Sequence, residues 1–324
     1  MATDYTFAVA RIRGRELALL GKADLEQLMG CPTVGAALRL LADRGWGEPG
    51  REDSAEGVLA AEVRKTWRIV DELAPDEPAF DVLRLPVDYH NAKAAVKLVY
   101  TQAKVAPERL FRAGGTVDAG AILGAVRERD YRGLPDALAD ATREATETLL
   151  QTGDGQLCDM VLDRACLEAV WHAGRAAKDE VLRDYARISV NAANVRVAAR
   201  CAHVGKSADF VRRALARAGT LDTKGLAAAA AQGPDALCDW LQGTDHAGAA
   251  EALRVSEAAF ERWCDDSVVR MIRPQLRNPF GVGPLVAYVL ARSFEVASVR
   301  MILTGKQTGL SEETVRARLR ETYV

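Results

Sequence analysis

The residues best placed to do chemistry recur as a set of three. Asp88, Asn91 and Lys93 stand in LPVDYHNAKAAV, Asn191, Asn194 and Arg196 in ISVNAANVRVAA, and Glu295, Ser298 and Arg300 in SFEVASVRMIL. Each set is an acid or amide, then an amide or hydroxyl three residues on, then a base two residues further. These groups suit hydrogen bonding and ion pairing. On a helix at about 100° per residue, with the middle residue at 0°, the apolar positions one, four and five residues later fall at about 100°, 40° and 140°. The acid or amide falls at about 60°, inside that apolar face, and the base at about 200°, on its flank. A polar group buried in a packing face costs roughly 1–3 kcal/mol unless it is hydrogen-bonded. Two readings follow. Asp88, Asn91, Asn191, Asn194 and Glu295 form structural polar ties that fix helix register, or the flanking Lys93, Arg196 and Arg300 line a shared interior surface or binding face.

Other candidate chemistry fails on spacing. Gly205-Lys206-Ser207 lacks the glycine that a phosphate loop needs five residues earlier, where Arg200 stands, and it follows a helix where a strand is required. Gly305-Lys306-Gln307 fails similarly and reads as a helix stop. The four histidines are scattered, and none of the six cysteines forms a CxxC, so no metal site is expected. Asp265-Asp266 lacks a third acid four residues after Asp265, where Val269 stands, and reads as a solvated helix face. No GxSxG nucleophile motif occurs. Neither catalytic residues nor a cofactor site is expected.

Three elements must carry the three sets. Asn91, Asn194 and Ser298 stand about a hundred residues apart, and three units of that length account for all 324 residues. A second echo keeps the interval: GGTVDAGAILGAVRERDYRGLPDAL from Gly114 and GTLDTKGLAAAAAQGPDALCDWLQGT from Gly219, with a looser copy in LLGKADLEQLMGCPTVGAALRLLADRG. Each reads as a turn, a short helix, a break and a second short helix holding an Ala-Leu pair (Ala37–Leu38, Ala137–Leu138, Ala236–Leu237). The expected domains are 1–112, 113–218 and 219–324.

Helices are expected over 5–20 (with Phe7, Val9, Ile12 and Leu17 among the apolar positions), from 33 to about 42, and over 54–74, 136–150, 156–172, 178–204 and 247–272. A loop, GWGEPGREDS, separates the second and third. Further helices start near Val87 and at Pro284, the latter turning at Gly305–Gly309 into a last short helix. No sustained strand alternation occurs, so the fold class is all-α. With 43 basic and 45 acidic residues, no basic field points to nucleic acid or a lipid surface. The N-terminal MATDYTFAVARIRG lacks a signal-peptide layout, no apolar run reaches the roughly 20 residues that span a bilayer, and the cysteines read as free thiols in a reducing cytoplasm.

Near the C-terminus Asn278-Pro279-Phe280-Gly281, Pro284-Leu285, Tyr288, Glu295, Arg300, Gly305-Lys306 and Gly309-Leu310 are followed by Arg316, Arg318, Leu319, Arg320 and Tyr323. This stretch resembles the C subunits of prokaryotic V/A-type ATPases, relatives of the d subunit of eukaryotic V-ATPases, and Asp88, Asn91 and Lys93 resemble the family's first-domain signature. Ser298 departs from the pattern, which leads to asparagine there. The resemblance implies three similar helical domains in a pseudo-threefold, funnel-like arrangement. It implies a non-catalytic coupling subunit on the cytoplasmic face of the membrane, peripheral through its complex. Its partners would be the D and F subunits of the shaft and the proteolipid ring, with no nucleic acid and no direct nucleotide binding. The competing expectation is an all-α scaffold or adaptor unrelated to a rotary motor.

Overall fold

The computed structural model describes residues 5–48, 54–75, 78–101 and 110–324. Among the described residues there is no strand. The helices run α1 Thr6–Glu16, α2 Lys22–Gly30, α3 Val34–Asp43, α4 Ala55–Leu73, α5 Asp81–Tyr100, α6 Ala119–Glu128, α7 Asp136–Thr152 and α8 Gly155–Ala176. They continue α9 Glu180–His203, α10 Ala208–Ala214, α11 Thr223–Gln232, α12 Pro234–Gln242, α13 Ala247–Val255, α14 Glu257–Ile272, α15 Gly283–Thr308 and α16 Glu312–Arg318. The chain divides into two compact units, one of Met1–Glu77, Asp179–Leu182 and Glu251–Val324, the other of Pro78–Lys178 and Arg183–Ala250.

The first unit is built on α15. Every residue from Gly283 to Arg292 is buried, as expected of a helix apolar on all sides. Further along, only one face stays buried, through Val296, Val299, Ile302 and Leu303. That face joins Leu25, Leu28 and Met29 of α2, Ala37 and Leu41 of α3, Val58 and Leu59 of α4 and Val315 of α16 in one core. The turn before α15 is held from α1: Arg13 donates to the carbonyls of Gln275 and Asn278, both at 2.6 Å. Within the second unit α5 packs against α6, α7 and α8, with Tyr89, Ala92, Ala95 and Val96 facing Ile122, Leu138, Ala145 and Leu162.

The expected elements are found with four corrections. Gly305 does not stop α15. The helix continues to Thr308 and ends at Gly309, whose φ of +69° closes a left-handed cap. Gly305 serves close approach instead, because a Cβ there would lie 2.5 Å from Val315 Cγ2. The helix expected near Val87 begins at Asp81 and carries Pro86 inside it, forgoing one backbone bond. The span 247–272 is two helices, because Ser256 is extended and caps α14 by accepting from the Ala259 amide at 3.0 Å. Finally, α1 stops at Glu16, and of its expected apolar positions Val9 and Ile12 are buried while Phe7 and Leu17 are exposed. The expected loop at 45–54 falls partly outside the described residues.

Candidate functional site

The three polar sets sit on three long helices, α5, α9 and α15. Asp88 is 1% exposed. Its carboxylate accepts from the Thr116 amide (3.1 Å), the Thr116 hydroxyl (2.6 Å) and the Val117 amide (3.1 Å). One turn on, Asn91 exchanges two bonds with the backbone of Arg112, donating to its carbonyl at 3.0 Å and accepting from its amide at 2.9 Å. In α9 Asn191 accepts from the Thr220 amide at 3.0 Å, and its amide group donates to the Thr220 hydroxyl at 2.8 Å and to His246 Nε2 at 3.1 Å. Burial pulls His246 below the usual histidine range, and the neutral ring has one nitrogen free to accept. Asn194 accepts from the Ala216 amide at 2.9 Å and donates to the carbonyls of Ala216 and Ala218.

Two glycines make these approaches possible. A Cβ at Gly115 would stand 2.2 Å from Asp88 Oδ1, and one at Gly219, whose φ is +91°, would stand 2.3 Å from Asn191 Oδ1. Each glycine immediately precedes the threonine whose amide is bound. Gly219 therefore corresponds to Gly115, one residue later than the sequence echo from Gly114 suggests, and the second loop reaches its threonine one residue further from its tie than the first does.

The third set is built differently. Glu295, 8% exposed, accepts from the Leu20 amide and from Arg292. The Arg292 guanidinium also lies 3.4 Å from Glu62 of α4 and stacks over Trp46 at 5.3 Å. Glu62, 1% exposed, accepts from the Gly47 amide at 2.9 Å and pairs with Lys65. Burial raises the Glu295 carboxyl to about 7, against the opposing pull of Arg292 and the Leu20 amide. Ser298 is buried, with no hydrogen bond to another described residue. It lines a void of about 20 Å³ with Leu20, Phe294, Glu295 and Tyr323, room for about one water.

The ties share a connectivity that no helical pattern discloses. Thr116 and Val117 lead into α6, Thr220 leads into α11 and Leu20 leads into α2. Each long helix thus holds the segment that opens the following helix pair, and the last long helix holds the first. The flanking bases follow suit. Lys93 pairs with Asp163 of α8 at 2.5 Å, and Arg300 grips Glu56 of α4 with two 3.1 Å bonds. Arg196 is half-buried on α9. Neither Lys93 nor Arg300 presents an unpaired charge.

Three members of the third site, Glu62, Arg292 and Trp46, were not among the expected site residues. Glu62 carried a signal, since it lies three and four residues after Leu59 and Val58 on the buried face of α4. Asp265 and Asp266 are not a solvated face. Asp265 pairs with Arg320 at 2.5 Å and Asp266 accepts from the Glu321 amide at 2.7 Å, so the C-terminal segment covers both. Gly205 ends α9 at a φ of +64° and Ser207 caps α10, a helix-to-helix turn. Burial raises the thiols of Cys158 and Cys166 to about 11 and about 12, and all six cysteines are free. Among the described residues no cluster of three metal-ligating side chains occurs, and no helix is long and apolar enough to cross a membrane.

A family model described as ATP synthase (C/AC39) subunit matches residues 8–318. The chain is similar to the C subunit of the V-type sodium ATPase of Enterococcus hirae, 23% identical over 319 residues that cover 96% of this chain and 97% of that protein. It is 25% identical over 324 residues to the C subunit of the V-type ATP synthase of Thermus thermophilus, covering 97% and 98%. To the C subunit of the A-type ATP synthase of Methanocaldococcus jannaschii it is 24% identical over 342 residues, covering 97% and 86%.

Proposed function

This chain belongs to the ATP synthase (C/AC39) subunit family, and from that premise we propose that it is a non-catalytic central-stalk subunit of a rotary V/A-type ATPase. In this reading it is a socket between the rotor shaft, formed by the D and F subunits, and the proteolipid ring. It sits at the cytoplasmic face of the membrane, peripheral through the complex, and transmits torque for ion transport. It binds no nucleotide and no cofactor of its own. The observation that supports the reading is the match across nearly the whole chain to C subunits of V-type ATPases and ATP synthases.

The buried ties suit such a part physically. A coupling element must resist shear, and sliding α5, α9 or α15 along its neighbours would strand buried carboxylate, amide and backbone groups at roughly 1–3 kcal/mol each. The three repeats, 1–112, 113–218 and 219–324, would be the modules of a pseudo-threefold socket. Lys93, Arg196 and Arg300 would be interface bases that exchange internal partners for those of another subunit. Exposed pairs are worth only about 0–1 kcal/mol each, so such an exchange is cheap.

The test is a mild-detergent pull-down from native membranes with a tagged full-length chain, read by mass spectrometry. Proteolipid together with shaft subunits is the expected recovery. Recovery of neither, while the motor stays intact, would favour an all-α scaffold unrelated to it. Reversing the charge of Lys93, Arg196 and Arg300 together should weaken assembly, and unaltered assembly would remove those bases from the interface.

A further inference from the structure

The first unit carries a cleft of about 500 Å³ whose walls are α2, α14 and the segment from α16 to Thr322. Five bases line it, Lys22, Arg262, Arg273, Arg316 and Arg320, against three carboxylates, Glu26, Asp266 and Glu321. That positive excess sits in a chain whose formal net charge is −2. Three of the arginines are engaged internally: Arg316 with Glu26 at 2.9 Å, Arg273 with Glu321 at 3.0 Å, and Arg320 with Asp265. Two bases are not. Lys22 forms no ion pair among the described residues, and Arg262 is bonded to the neutral carbonyl of Ala317 at 2.8 Å. Arg320 adds a further donor, because its Nη1 is buried with no hydrogen-bond partner. A buried donor left unpaired is costly, and an acceptor oxygen brought into the cleft would satisfy it.

We propose that this cleft docks an acidic segment of a partner protein of the assembly, with carboxylates meeting Lys22, Arg262 and Arg320. The volume lies in the range of pockets that enclose a ligand of several residues' bulk and exceeds what a lone oxyanion fills. The donors come from α2, α14 and the C-terminal segment, spread along the cleft, and do not converge on one point as a phosphate cradle requires. No aromatic side chain lines the cleft, so nothing there stacks a nucleobase, while Leu25 and Leu319 give an apolar floor for side-chain stems. Charge complementarity of this kind sets partner choice and approach rate and is screened by salt. The proposal takes the identity of the assembly from the coupling-subunit reading and the chemistry of the occupant from the cleft alone.

Carbodiimide, which joins an amine to a carboxylate in direct contact, tests it in native membranes carrying the full chain. The expected product is Lys22 amide-linked to an Asp or Glu of another subunit, lost when salt is raised before the reaction. Lys22→Glu combined with Arg262→Glu should lower retention of that subunit at least about tenfold. Neither base is in an internal ion pair, and the one internal bond lost is that of Arg262 to the Ala317 carbonyl, so the melting temperature should fall by no more than a few degrees. If it falls further, the milder pair Lys22→Gln and Arg262→Gln should still lower retention. Lys22 linked only to Glu26 of its own chain, in a complex that still holds proteolipid and shaft, overturns the inference and leaves the coupling reading standing. Retention unchanged by the double charge reversal overturns it as well, and so does displacement of the partner by a few millimolar inorganic phosphate. A wild-type chain that recovers no motor subunit removes both.

Discussion

Glu295 is a tie residue whose charge state changes in the physiological range. Its native carboxyl is raised to about 7 from an ordinary 4.5, chiefly by burial. A carboxyl raised in this way holds its proton more tightly folded than unfolded. The stabilisation is therefore complete below the ordinary value and is lost as pH rises from about 4.5 to about 7. Unfolding by urea should show stability falling over that window by ~3 kcal/mol. Glu295→Gln, which still accepts from the Leu20 amide, should flatten the profile, and a profile left unflattened would place the titration elsewhere. The other ties should separate by type. Asn91→Ala and Asn194→Ala each strand buried backbone groups and should cost about 1–3 kcal/mol. Ser298→Ala removes a hydroxyl that bonds no described residue and should stay within about 0.5 kcal/mol. Gly115→Ala and Gly219→Ala drive a methyl into a tie oxygen and should lower the melting temperature clearly. Gly124→Ala, inside α6 with nothing within 4 Å of the added carbon, should raise it.

At the scale of elements, α15 and α16 depend on one glycine. Gly305→Ala should lift α16 from its seat, seen as faster amide exchange over Glu312–Arg318, because its methyl would meet Val315 Cγ2. Adding Val315→Ala should recover part of the loss, so the double variant should be less destabilised than the two single changes together. Helix identity was readable from sequence because apolar periodicity is a local property of one segment, and that found α4, α7, α8, α9 and α15 to within a few residues. Helix ends were less so. Gly305 and Gly309 are the same residue type four positions apart, and only contact with Val315 tells a packing glycine from a capping one. Ser256 could have been recognised, since a serine two residues before an Ala-Ala pair and an aromatic is a plausible cap. The Ala-Leu pair was in phase in two copies only. Leu138 and Leu237 are buried, whereas in the first copy the buried member is Ala37. The polar sets were visible as buried groups in a helical frame, but apart from Arg292 their partners lie 21 to 275 residues away, and helical periodicity carries no information about such distances.

For the whole molecule, the ties and the core of the first unit join segments that stand far apart in the sequence. A repeat cut at 112 separates α1 to α4 from α15, whose face completes their core. A fragment of residues 1–112 should therefore lack cooperative unfolding. A fragment of residues 78–250, which carries the second unit with its own cores and ties, should unfold cooperatively, as followed by circular dichroism against urea. Cooperative unfolding of the first fragment would show that α15 is dispensable to α1 to α4.

The same separation sets a timetable at the ribosome. Helices α2 to α4 emerge early, with Leu25, Leu28, Leu41 and Leu59 belonging to a core whose other half is not yet translated. The wait covers the roughly 200 residues before α15, or about 10–40 s at 5–20 residues per second. During it the earliest quarter of the nascent chain is a client for holding chaperones, while the middle of the chain can already have condensed. Stalled chains ending near residue 275 should be cut by protease within 5–48 and 54–75 and resist within 78–101 and 110–250.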